Sequence, residues 1–156
     1  MDSFLKKHIY KETLISAIIN SVFSFGITYL VLGGAEVIEK QELVIDALPQ
    51  SFFVTFFGVF IPTLLSRKKI KAGAIATLPY QKSFLPNNAF FRAVSMGLMA
   101  AIAGWLLHVV VLNGFGIEQL AINPVFVYKT LYGAVLSFVV TPIALLITLK
   151  ESEKSL

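Results

Sequence analysis

The sequence predicts an all-α, polytopic membrane protein with four transmembrane helices, and three observations carry that prediction. First, four apolar stretches, at about 13–32, 44–65, 93–112 and 125–149, are separated by charged connectors. Each has about 20 residues or slightly more, the length a helix needs to cross ~30 Å of hydrocarbon at ~1.5 Å per residue. Second, 56% of the residues are hydrophobic, 14% are charged and the mean hydropathy is +0.79. A soluble chain of 156 residues has no interior large enough for that much apolar surface, so the reading is a single membrane domain over 1–156. Third, the basic residues are sorted by side. Lys6, Lys7 and Lys11 precede the first span; Arg67, Lys68, Lys69, Lys71, Lys82 and Arg92 lie between the second and third; Lys150 and Lys154 follow the fourth. With four crossings all of these share one side, and the opposite connectors hold Lys40 alone. The positive-inside rule then predicts cytoplasmic N- and C-termini. The net charge of +4 is therefore a topology signal before it is anything else, and nucleic acid is not an expected partner, because the basic residues hug span ends.

Taken in order, residues 1–12 place Phe4, Leu5 and Ile9 beside lysines, as a short amphipathic cytoplasmic segment on the headgroups would. Gly33-Gly34-Ala35 resembles a signal cleavage site. The apolar run before it exceeds a signal-peptide core of about 7–15 residues, so the first span is read as a permanent helix. The outer connector with Glu36, Glu39, Lys40 and Glu42 reads as a solvated face that enforces topology. Residues 66–92, with Pro79 and Pro86, read as a partly ordered, membrane-hugging cytoplasmic loop, with Asn87 or Asn88 capping the third helix. Residues 150–156 form a cytoplasmic tail. Short outer connectors predict antiparallel neighbours for helices one–two and three–four.

Shifted by 80 residues, the first span falls on the third and the second on the fourth without a gap. Val31, Leu32 and Gly34 meet Val111, Leu112 and Gly114, and Pro62 meets Pro142. This predicts a parallel duplication of a two-helix hairpin, with the copies related by an axis along the membrane normal; the alternative is a four-helix bundle whose loops match in length. Each proline frees a carbonyl one turn earlier, and Thr63 and Thr141 stand ready to satisfy those carbonyls.

Polar residues recur along faces of the spans. Ser16, Asn20, Ser24 and Thr28 form a stripe on the first, and Lys129, Gly133, Ser137 and Thr141 a stripe on the fourth. On the third, Ala100, Gly104 and His108 form a groove beside a second small row, Ala93, Gly97 and Ala101. Such faces suit close helix packing, and they also suit a transport path. Lys129 and His108 lie about four residues inside the outer span end, level with Asp46 and Gln50 at the start of the second span. An ionisable residue inside a span is a functional hypothesis. Lys129 either snorkels to the headgroups or pairs with Asp46; His108 either bonds a neighbouring helix as a neutral ring or lines a path. Trp105, Tyr29, Tyr128 and Tyr132 read as interfacial anchors. The candidate polar path comprises Asn20, Ser24, Thr28, Asp46, Gln50, His108, Lys129, Tyr132, Ser137 and Thr141.

With no cysteine there is no disulfide or thiolate chemistry. His8 and His108 fall on opposite membrane sides, so no metal site is expected, and no cofactor. Hydrolase and phosphate-loop motifs are lacking, and the spans hold no paired carboxylates, so no enzyme is predicted. The run Pro62-Thr63-Leu64-Leu65-Ser66-Arg67-Lys68-Lys69 ends a span in a proline followed by basic residues, and 128–148, containing Thr141-Pro142, looks like a second copy lacking the arginine. This pattern resembles uncharacterised small bacterial inner-membrane proteins built from a duplicated two-helix unit. The resemblance implies a bacterial inner-membrane location and carries no activity or site residues. The expected roles are a small transporter or channel-like subunit, or an accessory subunit on a larger membrane protein. The expected partners are the lipid bilayer and either further copies of the chain or that larger protein.

Overall fold

A computed structural model describes residues 3–151. The expectations for residues 1–2 and for the tail beyond Glu151, Lys154 included, lie outside them. The chain forms α1 (Ser3–Leu32), β1 (Val37–Glu39), α2 (Lys40–Lys71), α3 (Ala89–Gly114), β2 (Gln119–Ala121) and α4 (Ile122–Glu151). All four helices are long and apolar enough to cross a membrane, and 22–39% of each apolar window is buried inside the bundle. The remaining apolar surface is stable only against hydrocarbon. The chain is a multi-pass membrane protein. At 26–32 residues the helices reach about 40–50 Å, so they extend past a ~30 Å core into the headgroups.

This length corrects the reading of residues 1–12. From Ser3 onward they are the first turns of α1, continuous with the span, and not a separate segment on the headgroups. Leu5 and Ile9 pack against Ile70, Leu145 and Leu149. Asn88 does cap α3, its side-chain oxygen accepting from the Phe90 and Phe91 amides at 2.9 and 3.4 Å. The connector between α2 and α3 crosses the end of α4, where Leu78 and Gln81 amides donate to the carbonyls of Leu149 and Lys150.

Helix neighbours differ from the loop-length expectation. The close pairs are α2–α3, α1–α4 and α2–α4; α1 meets α2 less, and the α3 and α4 backbones barely approach. Small residues decide this. A Cβ on Gly97 would press on Phe52 of α2, one on Gly104 would collide with Ser51 of α2, and one on Gly133 of α4 would collide with Ser24 of α1. Both small rows of α3 are therefore spent inside the chain.

The connectors between α1 and α2 and between α3 and α4 also hold more than solvated loop. β1 and β2 pair antiparallel, Ile38 opposite Leu120, and Lys40 and Ile122 amides donate to Glu118 and Glu36 carbonyls. Ile38 is fully buried over Leu32, Leu43, Leu112 and Val125. We call this the ribbon end, and the opposite one the basic end.

Burial recurs at a spacing of 80 residues between α1 and α3, and at 82 between α2 and α4. On α1, Thr13, Ala17, Ser24, Thr28 and Leu32 are buried, and the residues 80 later, Ala93, Gly97, Gly104, His108 and Leu112, are buried too. On α2 the buried Leu43, Ala47, Ser51, Thr55 and Thr63 find buried counterparts 82 later, at Val125, Lys129, Gly133, Ser137 and Leu145. The strands and the starts of α2 and α4 are likewise 82 apart. Two residues are about 200° of helix rotation, so Pro62 and Pro142 do not sit on matching faces. Pro62 is buried and Pro142 half-exposed. Pro62 leaves the Gly58 carbonyl without its helical donor, and Thr141 Oγ1 on α4 supplies one at 3.0 Å. Thr141 thus serves the proline of the other helix and not the proline beside it.

Candidate functional site

Polar side chains that the helices turn inward form three groups along α4. Nearest the ribbon end, Lys129 is fully buried, with Nζ 2.9 Å from Asp46 Oδ2 and donating to the Leu43 carbonyl at 3.2 Å. Lys129 therefore points into the bundle and does not snorkel. The reason is local: residues 125, 129, 133 and 137 recur every four positions on the face of α4 that meets α2 and α1. Gln50 Nε2 donates to the Lys129 carbonyl at 2.9 Å. Ser51 donates to the Ala47 carbonyl at 2.6 Å, so Tyr132 Oη, 2.7 Å away, donates to Ser51. His108 Nδ1 lies 2.7 Å from the Gly104 carbonyl, which fixes the proton on Nδ1. The imidazole packs edge-on against Tyr132 and Tyr128, with ring centres 4.7 and 5.3 Å away. These two tyrosines are structural walls of the cluster. Three helices thus bring together Asp46, Gln50, His108, Lys129 and Tyr132.

Deeper in the bundle, Asn20 Nδ2 lies 2.6 Å from Ser137 Oγ, 3.3 Å from the Val54 carbonyl and 3.4 Å from Ser16 Oγ. Thr141 donates to Gly58, so the hydrogen at its 3.0 Å contact with Ser16 belongs to Ser16. Asn20, Ser137 and Thr141 are one network joining α1, α2 and α4. Ser24 and Thr28 are not part of it. Thr28 bonds its own helix at the Ser24 carbonyl, and Ser24 packs on Gly133.

A third group, at the basic end, escaped the sequence reading. Arg92 is fully buried and pairs with Glu151; it also donates to Thr148 at 3.2 Å and to the Pro86 carbonyl at 3.0 Å. At the same end Glu12 meets Lys69 at 2.6 Å, and His8 meets Ser66 at 3.2 Å. Arg92 reads in the sequence as one more topology charge. The available signal was acidic: Glu12 and Glu151 are carboxylates among basic residues at span ends, where a partner is the ordinary reason for a carboxylate.

From Lys129 to Glu151 the three groups cover about 33 Å of α4, a length comparable to a hydrocarbon core of ~30 Å. Buried side-chain atoms without a hydrogen-bond partner among the described residues include Ser24 Oγ, Gln50 Oε1, Thr55 Oγ1 and His108 Nε2. Such atoms cost about 1–3 kcal/mol each when they stay unsatisfied. Among the described residues no three His, Asp or Glu side chains gather as a metal site would require. The chain matches no protein-family model, no curated protein and no solved structure.

Proposed function

We propose that this is a non-catalytic protein of a bacterial inner membrane, with both termini cytoplasmic, that acts as a small transporter or channel-like subunit. The carrying observation is the buried polar column of about 33 Å, from Asp46–Lys129 to Arg92–Glu151. A path for a small polar species uses such side chains, Gln50, Asn20, Ser137 and Thr141 among them, as successive stations. The basic residues at the end that carries the termini support the orientation. The burial match supports a parallel hairpin duplication with a two-residue slip, whose axis would pass between Ile38 and Leu120. Four helices enclose little volume, so the working unit would be an assembly of copies.

The competing role is an accessory subunit seated on a larger membrane protein. Sealed packing at Gly104 and Gly133 favours it. The loss of both small rows of α3 to internal contacts counts against it.

Flux into liposomes separates the two. The purified protein is reconstituted and tested with protons under an imposed potential and with glycerol under an osmotic gradient. The transport reading expects one of these to enter several-fold faster than into protein-free liposomes, and Asn20→Leu, which cuts the middle of the column, to abolish the gain. Rates equal to protein-free liposomes for both probes would leave the accessory role as the better reading.

A further inference from the structure

The loosely packed seam between α1 and α2 changes character along its length. On α1, Ile19, Ile15, Lys11 and Lys7 recur every fourth residue and so share one face. On α2, Phe57, Ile61, Leu65 and Lys69 do the same in the opposite chain direction. Two cavities lie in this seam end to end. The deeper is lined by Ile15, Ile19, Phe57, Ile61 and Leu65, with Glu12, Ser16 and Asn20 also at its wall, and the surface it presents is almost wholly apolar. The one at the basic end is lined by Lys7, His8, Lys11 and Lys69, with Phe4 and Ile75 as apolar walls. The Glu12–Lys69 pair stands where they meet. It neutralises Lys69 in part. Lys7 and Lys11 are exposed and form no ion pair among the described residues.

We propose that this seam binds an anionic phospholipid of the leaflet at the basic end, its phosphate on Lys7 and Lys11 and an acyl chain against the apolar groove. The dimensions fit one lipid. Lys7 to Ile19 is about 18 Å along α1, and half of a ~30 Å hydrocarbon core is ~15 Å, with the phosphate just outside it. The charge fits an anionic headgroup. A zwitterionic lipid would bring its own cation among the lysines, whereas a phosphoglycerol group brings none. The apolar half selects a lipid over free phosphate. This site borders the polar groups, sharing Ser16 and Asn20 with the middle one and His8, Glu12 and Lys69 with the one at the basic end, but lipid binding there does not depend on transport.

The test is native mass spectrometry of the intact protein released from detergent, with phosphatidylglycerol and phosphatidylcholine of identical chains. The wild type should retain phosphatidylglycerol about tenfold more tightly or better, and Lys7→Gln/Lys11→Gln should lose that preference, because each surface lysine contributes roughly fivefold toward an anionic lipid. Ile61→Trp fills the groove without touching a charge, and should weaken both lipids. Lys69 is left in place, since its removal would strand the buried Glu12 carboxylate. Equal retention of the two lipids by the wild type, or an unchanged preference in Lys7→Gln/Lys11→Gln, would overturn the proposal. So would displacement of phosphatidylglycerol by equimolar glycerol phosphate, which would reduce the site to a phosphate contact without a groove.

Discussion

Replacing Lys129 by methionine is expected to lower the stability of the folded protein by about 3–5 kcal/mol, the usual cost of breaking a buried ion pair by removing one partner. Methionine suits an apolar interior, so the cost does not come from the new side chain. It comes from Asp46, whose carboxylate keeps its buried position and loses the ammonium 2.9 Å away. The Leu43 carbonyl loses a donor as well. Replacing both charges together, Lys129→Met with Asp46→Leu, should recover most of the loss, because an apolar pair of similar volume is often neutral or better in such a site. Unfolding in SDS, followed by the fluorescence of the single tryptophan, Trp105, measures both variants. A silent Lys129→Met would mean that the ammonium reaches the headgroups after all.

The second large effect is expected at the other end of the column. Arg92→Leu removes the partner of Glu151 and the donors to Thr148 and to the Pro86 carbonyl. A loss of about 3–5 kcal/mol is expected here also. Glu151→Gln separates the charge from the hydrogen bonds. It leaves Arg92 an acceptor, so it should cost less than Arg92→Leu, about 1–3 kcal/mol. If Glu151→Gln proves as damaging as Arg92→Leu, the ion pair alone holds this end, and the contacts to Thr148 and Pro86 contribute nothing measurable. Both variants are read in the same SDS unfolding assay.

Several features of this molecule are legible without coordinates because a single local rule determines them. Span number and rough position follow from length against bilayer thickness. The Asn88 cap follows from side-chain chemistry. The inward Lys129–Asp46 pair was visible as one of two options, because both residues sit at the same depth. What was not legible depends on comparing distant parts of the chain. Connector length does not choose helix neighbours; Gly97, Gly104 and Gly133 do, by letting particular backbones approach. Strands of three residues are too short to carry a pattern, so the ribbon joining residues 37–39 and 119–121 left no trace. The matched prolines misled for a related reason. Equal span spacing and a few matched residues suggested one ungapped register, whereas burial recurs at 80 residues between α1 and α3 and at 82 between α2 and α4. Arg92 was missed because a basic residue at a span end satisfies the topology rule whether or not it is buried.

Transport requires the buried polar column to be reachable by small polar species, and cysteine accessibility tests that most directly. The chain has no cysteine, so one introduced thiol is unambiguous. Ser137 is fully buried in the middle of the column, bonded to Asn20 at 2.6 Å. Gly34 and Lys71 are exposed near the two ends and report the sides. With a small charged methanethiosulfonate reagent, Gly34→Cys should react in intact cells and Lys71→Cys only after permeabilisation. Ser137→Cys should react more slowly than either but measurably, and Asn20→Leu in the same chain should suppress it. A Ser137→Cys thiol inert from both sides, while both end positions react, would contradict the path and leave the column as sealed packing.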